Sequence, residues 1–241
     1  MPLKIPRVHV CYSPELYSAY AEDKHVVVVI DVLRATTAIC VALDSGAERV
    51  IPVVDVTVAR DYLGKGYIVG AERSGDIVEG FEYGNSPSEY RGDHVKDKTI
   101  VLTTSNGTYA IAAAQEAEAV AMGAFINLDA VVNWLCEHID KEVILLCAGW
   151  KRKFNMEDTL FAGAVIERLK EMDMIKELTD SGIAALHLYR LAKEDLYGFL
   201  EDSSHRRRLR KLDITEDVMF CLSLNKTDVV PILTPDGIIK L

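Results

Sequence analysis

The sequence predicts a layered α/β/α protein on a largely parallel or mixed sheet. Over residues 7–171, strand-like apolar runs alternate with helix-period patterns, the order of parallel-sheet proteins. The runs VVVVI (26–30) and VILLC (143–147) are apolar throughout, as strands covered on both faces must be. A hydrophobic content of 49% over 241 residues supplies the core and argues against disorder.

The elements follow in order. Strands are expected at 7–11, 25–31, 49–54, 67–70, 99–103, 119–123 and 142–147, where β-branched and apolar residues cluster. Helices are expected near 14–20, 35–45, 57–63, 107–115, 127–138 and 158–171. Beyond residue 171 the chain becomes more charged and reads as helical to about 221. Two short strands, 229–233 and 237–240, then flank the turn signal Pro235-Asp236-Gly237. Residues 1–172 are therefore expected to form the α/β core. Residues 173–241 read as a helical insertion whose last strands return to that core.

Lys and Arg total 27 against 37 Asp and Glu, a net charge of −10. That excludes an overall basic nucleic-acid binder. No apolar run approaches the ~18 residues of a membrane span. The N-terminus MPLKIPRVHV lacks an apolar core and a small-residue cleavage site, so no signal peptide is expected. Five cysteines without metal-type spacing read as reduced thiols, and the expected location is cytoplasmic.

In open α/β sheets, ligands bind beyond the carboxyl ends of the strands. Four such ends carry polar or charged residues here. The first runs Asp31-Val32-Leu33-Arg34-Ala35-Thr36-Thr37. Arg34 can grip an oxyanion, with Thr36, Thr37 and helix amides as further donors. The second holds Glu72 and Arg73 ahead of a long, polar, glycine-bearing stretch that includes Asn85 and Ser86, read as a lid or binding loop. The third, Ser105-Asn106-Gly107-Thr108, reads as an anion cradle or an ordinary strand-to-helix turn, and it is not a Walker A loop. The fourth joins Cys147-Ala148-Gly149-Trp150 to Asn155-Met156-Glu157-Asp158, with Asn155 a candidate N-cap. Oxygen ligands suit magnesium, and Asp31, Glu72 and Glu157 or Asp158 would supply them from three strand ends. No His/Cys cluster points to zinc.

Two common phosphatase signatures are missing. Arg152 stands at Cys147-x4-Arg, one residue short of a cysteine-phosphatase loop, so Cys147 reads as a buried structural thiol. Asp31 is followed by Val32-Leu33, which leaves a phosphoaspartate Asp-x-Asp pattern unmatched. The run His205–Lys211 (HRRRLRK) reads as a solvated helix face in an acidic chain.

Together the segments IDVLRATTAI (30–39), GAERSG (70–75) with GFEYGNSPSE (80–89), LTTSNGT (102–108), and CAGW with FNMEDTLFAGAV (147–150, 154–165) resemble the 2-phosphosulfolactate phosphatase family. The resemblance spans roughly the first two-thirds of the chain. It implies a family-specific α/β fold. It also implies a magnesium-dependent phosphatase that hydrolyses 2-phospho-3-sulfolactate to 3-sulfolactate and phosphate in coenzyme M biosynthesis. Ala38 departs from the family's threonine run, and Trp150-Lys151-Arg152-Lys153 replaces a smaller, less basic stretch. About 173–222 carry no family motif.

On this reading Mg2+ polarises the phosphate from Asp31, Glu72 and Glu157 or Asp158. Arg34, Thr36, Thr37 and the 105–108 loop hold its oxygens. Carboxylates act as base and acid, Asp158 among the catalytic set. Arg73 or a cation of 151–153 reads the sulfonate and carboxylate, with Asn85 and Ser86 also binding substrate. The attacking group is left open between water and Asp31. A phosphatase for another phosphorylated hydroxy acid, a magnesium-dependent lyase and a non-catalytic anion-binding protein are the alternatives. The expected partner is a small molecule, with no nucleic acid and no membrane. A homodimer is expected on the base rate for this size.

Overall fold

A computed structural model describes residues 7–21, 24–212 and 214–241, with Lys211 described by its backbone alone. Of the stretch read for a leader, 1–10, residues 1–6 therefore lie outside the described residues, as does the side chain of Lys211 in the basic run. Along the chain lie β1 (Val8–Cys11), β2 (His25–Ile30), α1 (Ala35–Asp44), β3 (Arg49–Pro52), α2 (Val56–Arg60), β4 (Ile68–Arg73) and β5 (Asp76–Ile77). Next come β6 (Thr99–Thr103), α3 (Gly107–Ala113), β7 (Ala119–Gly123), α4 (Leu128–Cys136), β8 (Glu142–Cys147) and α5 (Met156–Glu171). The C-terminal part forms α6 (Asp180–Ala192), α7 (Leu196–Phe199), α8 (Ser204–Leu209), α9 (Thr215–Cys221), β9 (Pro231–Thr234) and β10 (Gly237–Lys240).

The ten strands make one mixed sheet in the order β1-β8-β2-β7-β9-β10-β3-β6-β4-β5. Two parallel blocks, β1-β8-β2-β7 and β3-β6-β4, flank the antiparallel hairpin β9–β10. The hairpin touches β7 through Ala121 opposite Ile232 and β3 through Val50 opposite Ile238.

The layering follows from strand periodicity. On β2, Val26, Val28 and Ile30 enter one core with Leu128, Phe161 and Leu186 from α4, α5 and α6. Val27 and Val29 face the other way, onto Ile39 and Leu43 of α1 and Ile111 of α3. A run apolar at every position is what two covered faces require. Side-chain caps start four of the α-helices: Asp55 accepts from Thr57 N, Thr179 from Gly182 N, Asp195 from Gly198 N and Ser203 from Arg206 N.

The structure departs from expectation at β4. The strand runs on to Arg73 and turns through Ser74 and Gly75 into β5, with Arg73 paired to Asp76. Both turn residues have positive φ, 59° and 97°, which suits a two-residue hairpin turn and explains the glycine. Residues 74–88 are thus not one long loop. Pro87–Tyr90 form a further 3-10 turn, capped by Ser86 and Glu89.

Candidate active site

The carboxyl ends of β2, β4, β6 and β8 meet at one edge of the sheet. There Asp31, Arg34, Glu72, Asn85 and Asn106 line a narrow chamber of about 10 Å³, closed over by Trp150 and by His205 and Leu209 of α8. Such a volume holds about one water molecule. An open outer pocket of about 390 Å³ shares the walls Ser74, Asn106 and Trp150, and adds Arg73, Tyr109, Lys151 and Arg152.

Each charged wall is held by its neighbours. Glu72 Oε1 accepts from Gly75 N at 2.5 Å and Ser105 Oγ at 3.2 Å, and Oε2 accepts from Ser105 N at 3.0 Å. Asp31 lies against the first residue of α3. A Cβ on Gly107 would stand 2.7 Å from Asp31 Oδ2 and 2.6 Å from Ala35 Cβ, so only glycine admits this approach. Arg34 donates to Asp217 Oδ2 at 2.9 Å and to Gly75 O at 3.0 Å.

The acidic pair on α5 behaves differently. Asp158 is fully buried. Its Oδ1 accepts from Val32 N at 3.0 Å, and its Oδ2 accepts from Gly149 N at 3.1 Å and Asn155 Nδ2 at 2.8 Å. It ties the end of β2 to the end of β8 and does not reach the chamber. Glu157, also buried, accepts from Asn155 Nδ2 at 3.0 Å and from His205 Nδ1 at 2.5 Å. Glu157 and Asp158, expected to complete a magnesium site with Asp31 and Glu72, do not line the chamber that those two share. N–H donors and the imidazole take up both Asp158 oxygens and Glu157 Oε1, whereas Glu157 Oε2 is buried with no hydrogen-bond partner among the described residues. Among the described residues no three His, Cys, Asp or Glu side chains group as one metal site. Asn155 occupies the N-cap position of α5, yet its amide serves these carboxylates rather than a helix N–H.

Electrostatics follow from burial. Burial pushes the Asp31 carboxyl up to about 7; the His205 imidazole pulls it down, while Glu72 and Glu157 push it higher. Burial, then Asp31 and Glu157, drive Asp158 upward against its N–H donors. Burial also works against charge on Glu157, but the hydrogen bond and charge of His205 outweigh it and hold the carboxyl below its usual range. Four buried carboxylates thus stand beside Arg34, which is already paired, and His205. Asn85 Oδ1 is buried with no hydrogen-bond partner among the described residues. A chamber lined by two carboxylates, Asp31 and Glu72, fits a divalent cation held by oxygen ligands.

Several expected oxyanion donors are occupied elsewhere. Thr36 Oγ1 donates to Gly123 O at 2.7 Å and Thr37 Oγ1 to Val32 O at 2.8 Å, both inside the core. Thr108 Oγ1 donates to Thr104 O at 3.0 Å. Ser105 is spent on Glu72. Ser86 caps its own turn. The three threonine hydroxyls hold the frame, because buried hydroxyls take a nearby backbone carbonyl. Asn106 does sit on both cavities, its Oδ1 accepting from Lys151 N at 3.0 Å. Arg73 points to the outer pocket, donating to Glu72 O, Val54 O and Thr103 Oγ1. Cys147 is buried and its pKa is driven well above 9, as a structural thiol requires.

The basic run is a solvated face only in part, at the exposed Arg207 and Arg210. His205 and Arg206 are buried, and Arg208 lies 3.9 Å over the Trp150 ring. His205 and Asp217 were missed as site residues. The signal was present: His205, Leu209 and Leu212 recur at helical spacing, an inward stripe hidden among cations. No described helix is long and apolar enough to cross a membrane.

The 2-phosphosulpholactate phosphatase family model matches residues 11–236. A protein of Caldanaerobacter subterraneus subsp. tengcongensis named a probable 2-phosphosulfolactate phosphatase is 40% identical over 218 residues, covering 89% of each chain. Proteins of the same name from Thermotoga petrophila and Clostridium botulinum are 41% and 35% identical, over 86% and 98% of this chain and 88% and 100% of theirs. With an acidic chamber at the strand ends of a layered α/β fold, these likenesses define a phosphoric monoester hydrolase. The chain belongs to the 2-phosphosulfolactate phosphatase family.

Proposed function

We propose that the protein is a magnesium-dependent phosphatase that hydrolyses 2-phospho-3-sulfolactate to 3-sulfolactate and phosphate, in the coenzyme M route that the family resemblance implies. The observation that carries this reading is the chamber itself, where Asp31 and Glu72 face Arg34 and Asn85 beside a cationic outer pocket. Asp31 and Glu72 would hold the cation. A magnesium ion held by these two carboxylates would supply charge neutralisation at the phosphate and a more electrophilic phosphorus. Arg34, released from Asp217, grips phosphate oxygens, and the Asn85 and Asn106 amides orient them. Arg73 and Lys151 in the outer pocket meet the sulfonate and carboxylate. Trp150 and α8 close over the site and exclude water. Five free thiols fit a reducing cytoplasm.

The test is phosphate release from 2-phospho-3-sulfolactate and a panel of phosphorylated hydroxy acids, with magnesium and with EDTA. Magnesium-dependent turnover that is strongest on the sulfonated ester supports the reading. Stronger turnover on another ester moves the substrate, and release from none removes the phosphatase.

A further inference from the structure

We propose that His205 is the general acid of the reaction, giving the proton on Nε2 to the leaving alkoxide. The inference rests on the phosphatase reading above. An alkyl phosphate expels a strongly basic oxygen, so a donor is needed at the leaving side of the chamber.

Four observations select His205. The residue lines the chamber with Asp31, Arg34 and Glu72. Its Nδ1 meets Glu157 Oε1 at 2.5 Å, and a buried carboxylate there fixes Nδ1 as a protonated nitrogen and leaves Nε2 as the atom free to exchange a proton. Nε2 has no hydrogen-bond partner among the described residues, and it is not walled off as a buried unpaired atom. The ring lies 5.6 Å from the Trp150 ring, which keeps it over the site. Glu157 is a positioning residue. It is buried behind the imidazole and is held in turn by Asn155.

The step balances with water as the only co-reactant. The oxygen of water bonds to phosphorus while the phosphorus–alkoxide bond breaks, its electron pair leaving on the alkoxide. The alkoxide takes the Nε2 proton and departs as the alcohol. His205 is then a neutral imidazole with Nδ1–H still on Glu157. The surplus proton of the attacking water, carried on the phosphate product, returns to Nε2 and restores the imidazolium.

Leaving-group dependence tests the role. His205→Gln should lower kcat on an alkyl phosphate by about 100-fold or more. It should leave 4-nitrophenyl phosphate, whose leaving oxygen needs no proton, nearly unchanged. In His205→Gly, added imidazole should restore the alkyl reaction selectively. Circular dichroism confirms that each variant is folded. Equal losses on both esters, no loss on either, or imidazole raising both alike would overturn the proposal. The wild-type panel separates the two readings: the variants are read on whichever alkyl ester the wild type splits best, so a different substrate leaves the test of His205 intact. A wild type that splits no alkyl phosphate overturns both.

Discussion

Arg34 and Asp217 form an ion pair of 2.9 Å across 183 residues of sequence, with 6% and 12% of their side chains exposed. It binds the start of α1 to the start of α9. Arg34 also holds Gly75 O of the β4–β5 hairpin. The cation best placed for a phosphate is therefore engaged with the C-terminal helices. On the function proposed above, substrate entry exchanges Asp217 for phosphate at this guanidinium.

That exchange gives the first prediction. Asp217→Asn weakens the competitor for Arg34. KM should fall, while amide exchange over 204–221 should speed up. Thermal stability should drop by about 2–4 °C for each kcal/mol of pairing lost. A raised KM with unchanged exchange would show that Asp217 does not guard Arg34.

Asp31 sets a pH dependence. Its carboxyl is pushed up to about 7 by burial, against ~3.9 in an unfolded chain. Between these values the folded state binds the extra proton. Stability from this group is therefore complete below pH ~4 and is lost as pH rises through about 7. Asp31→Asn removes the penalty, so its Tm should exceed that of the wild type at pH 8 and match it near pH 4. Turnover should be lost.

Magnesium should reverse the same penalty. A cation at Asp31 competes with its proton, so magnesium should raise Tm more at pH 8 than at pH 6. The Asp31→Asn variant should show little of this stabilisation. Thermal melts with magnesium and with EDTA measure both.

Gly107→Ala carries a sign opposite to helix propensity. Alanine ordinarily gains about 1 kcal/mol over glycine in a helix. Here its methyl meets Asp31 Oδ2 and Ala35, and the expected cost is about 1–3 kcal/mol, with reduced turnover. A stabilised, active variant would remove the close approach from the account of the site.

The sheet was legible because β2 and β8 carry runs apolar at every position, and the strand-end rule led to Asp31, Arg34 and Glu72. Other roles were hidden for physical reasons. The hydroxyls of Thr36 and Thr37 look like free donors in a sequence, but Gly123 O and Val32 O claim them once the chain folds. Asp158 has the composition of a ligand and the contacts of a frame residue. His205 sits among arginines that suggest solvent. Its helical spacing with Leu209 and Leu212 marks an inward face, and the pairing with Glu157 shows what it meets there.

The hairpin β9–β10 gives the sheet a property of timing. Both parallel blocks are complete in sequence by Cys147, yet the strands that join them begin at Pro231. On a ribosome, the two halves leave the exit tunnel well before their connector. Until the hairpin is made, each half exposes an unpaired edge, β7 on one and β3 on the other. Those edges are where a nascent chain needs a chaperone's cover, and where a stalled one would aggregate.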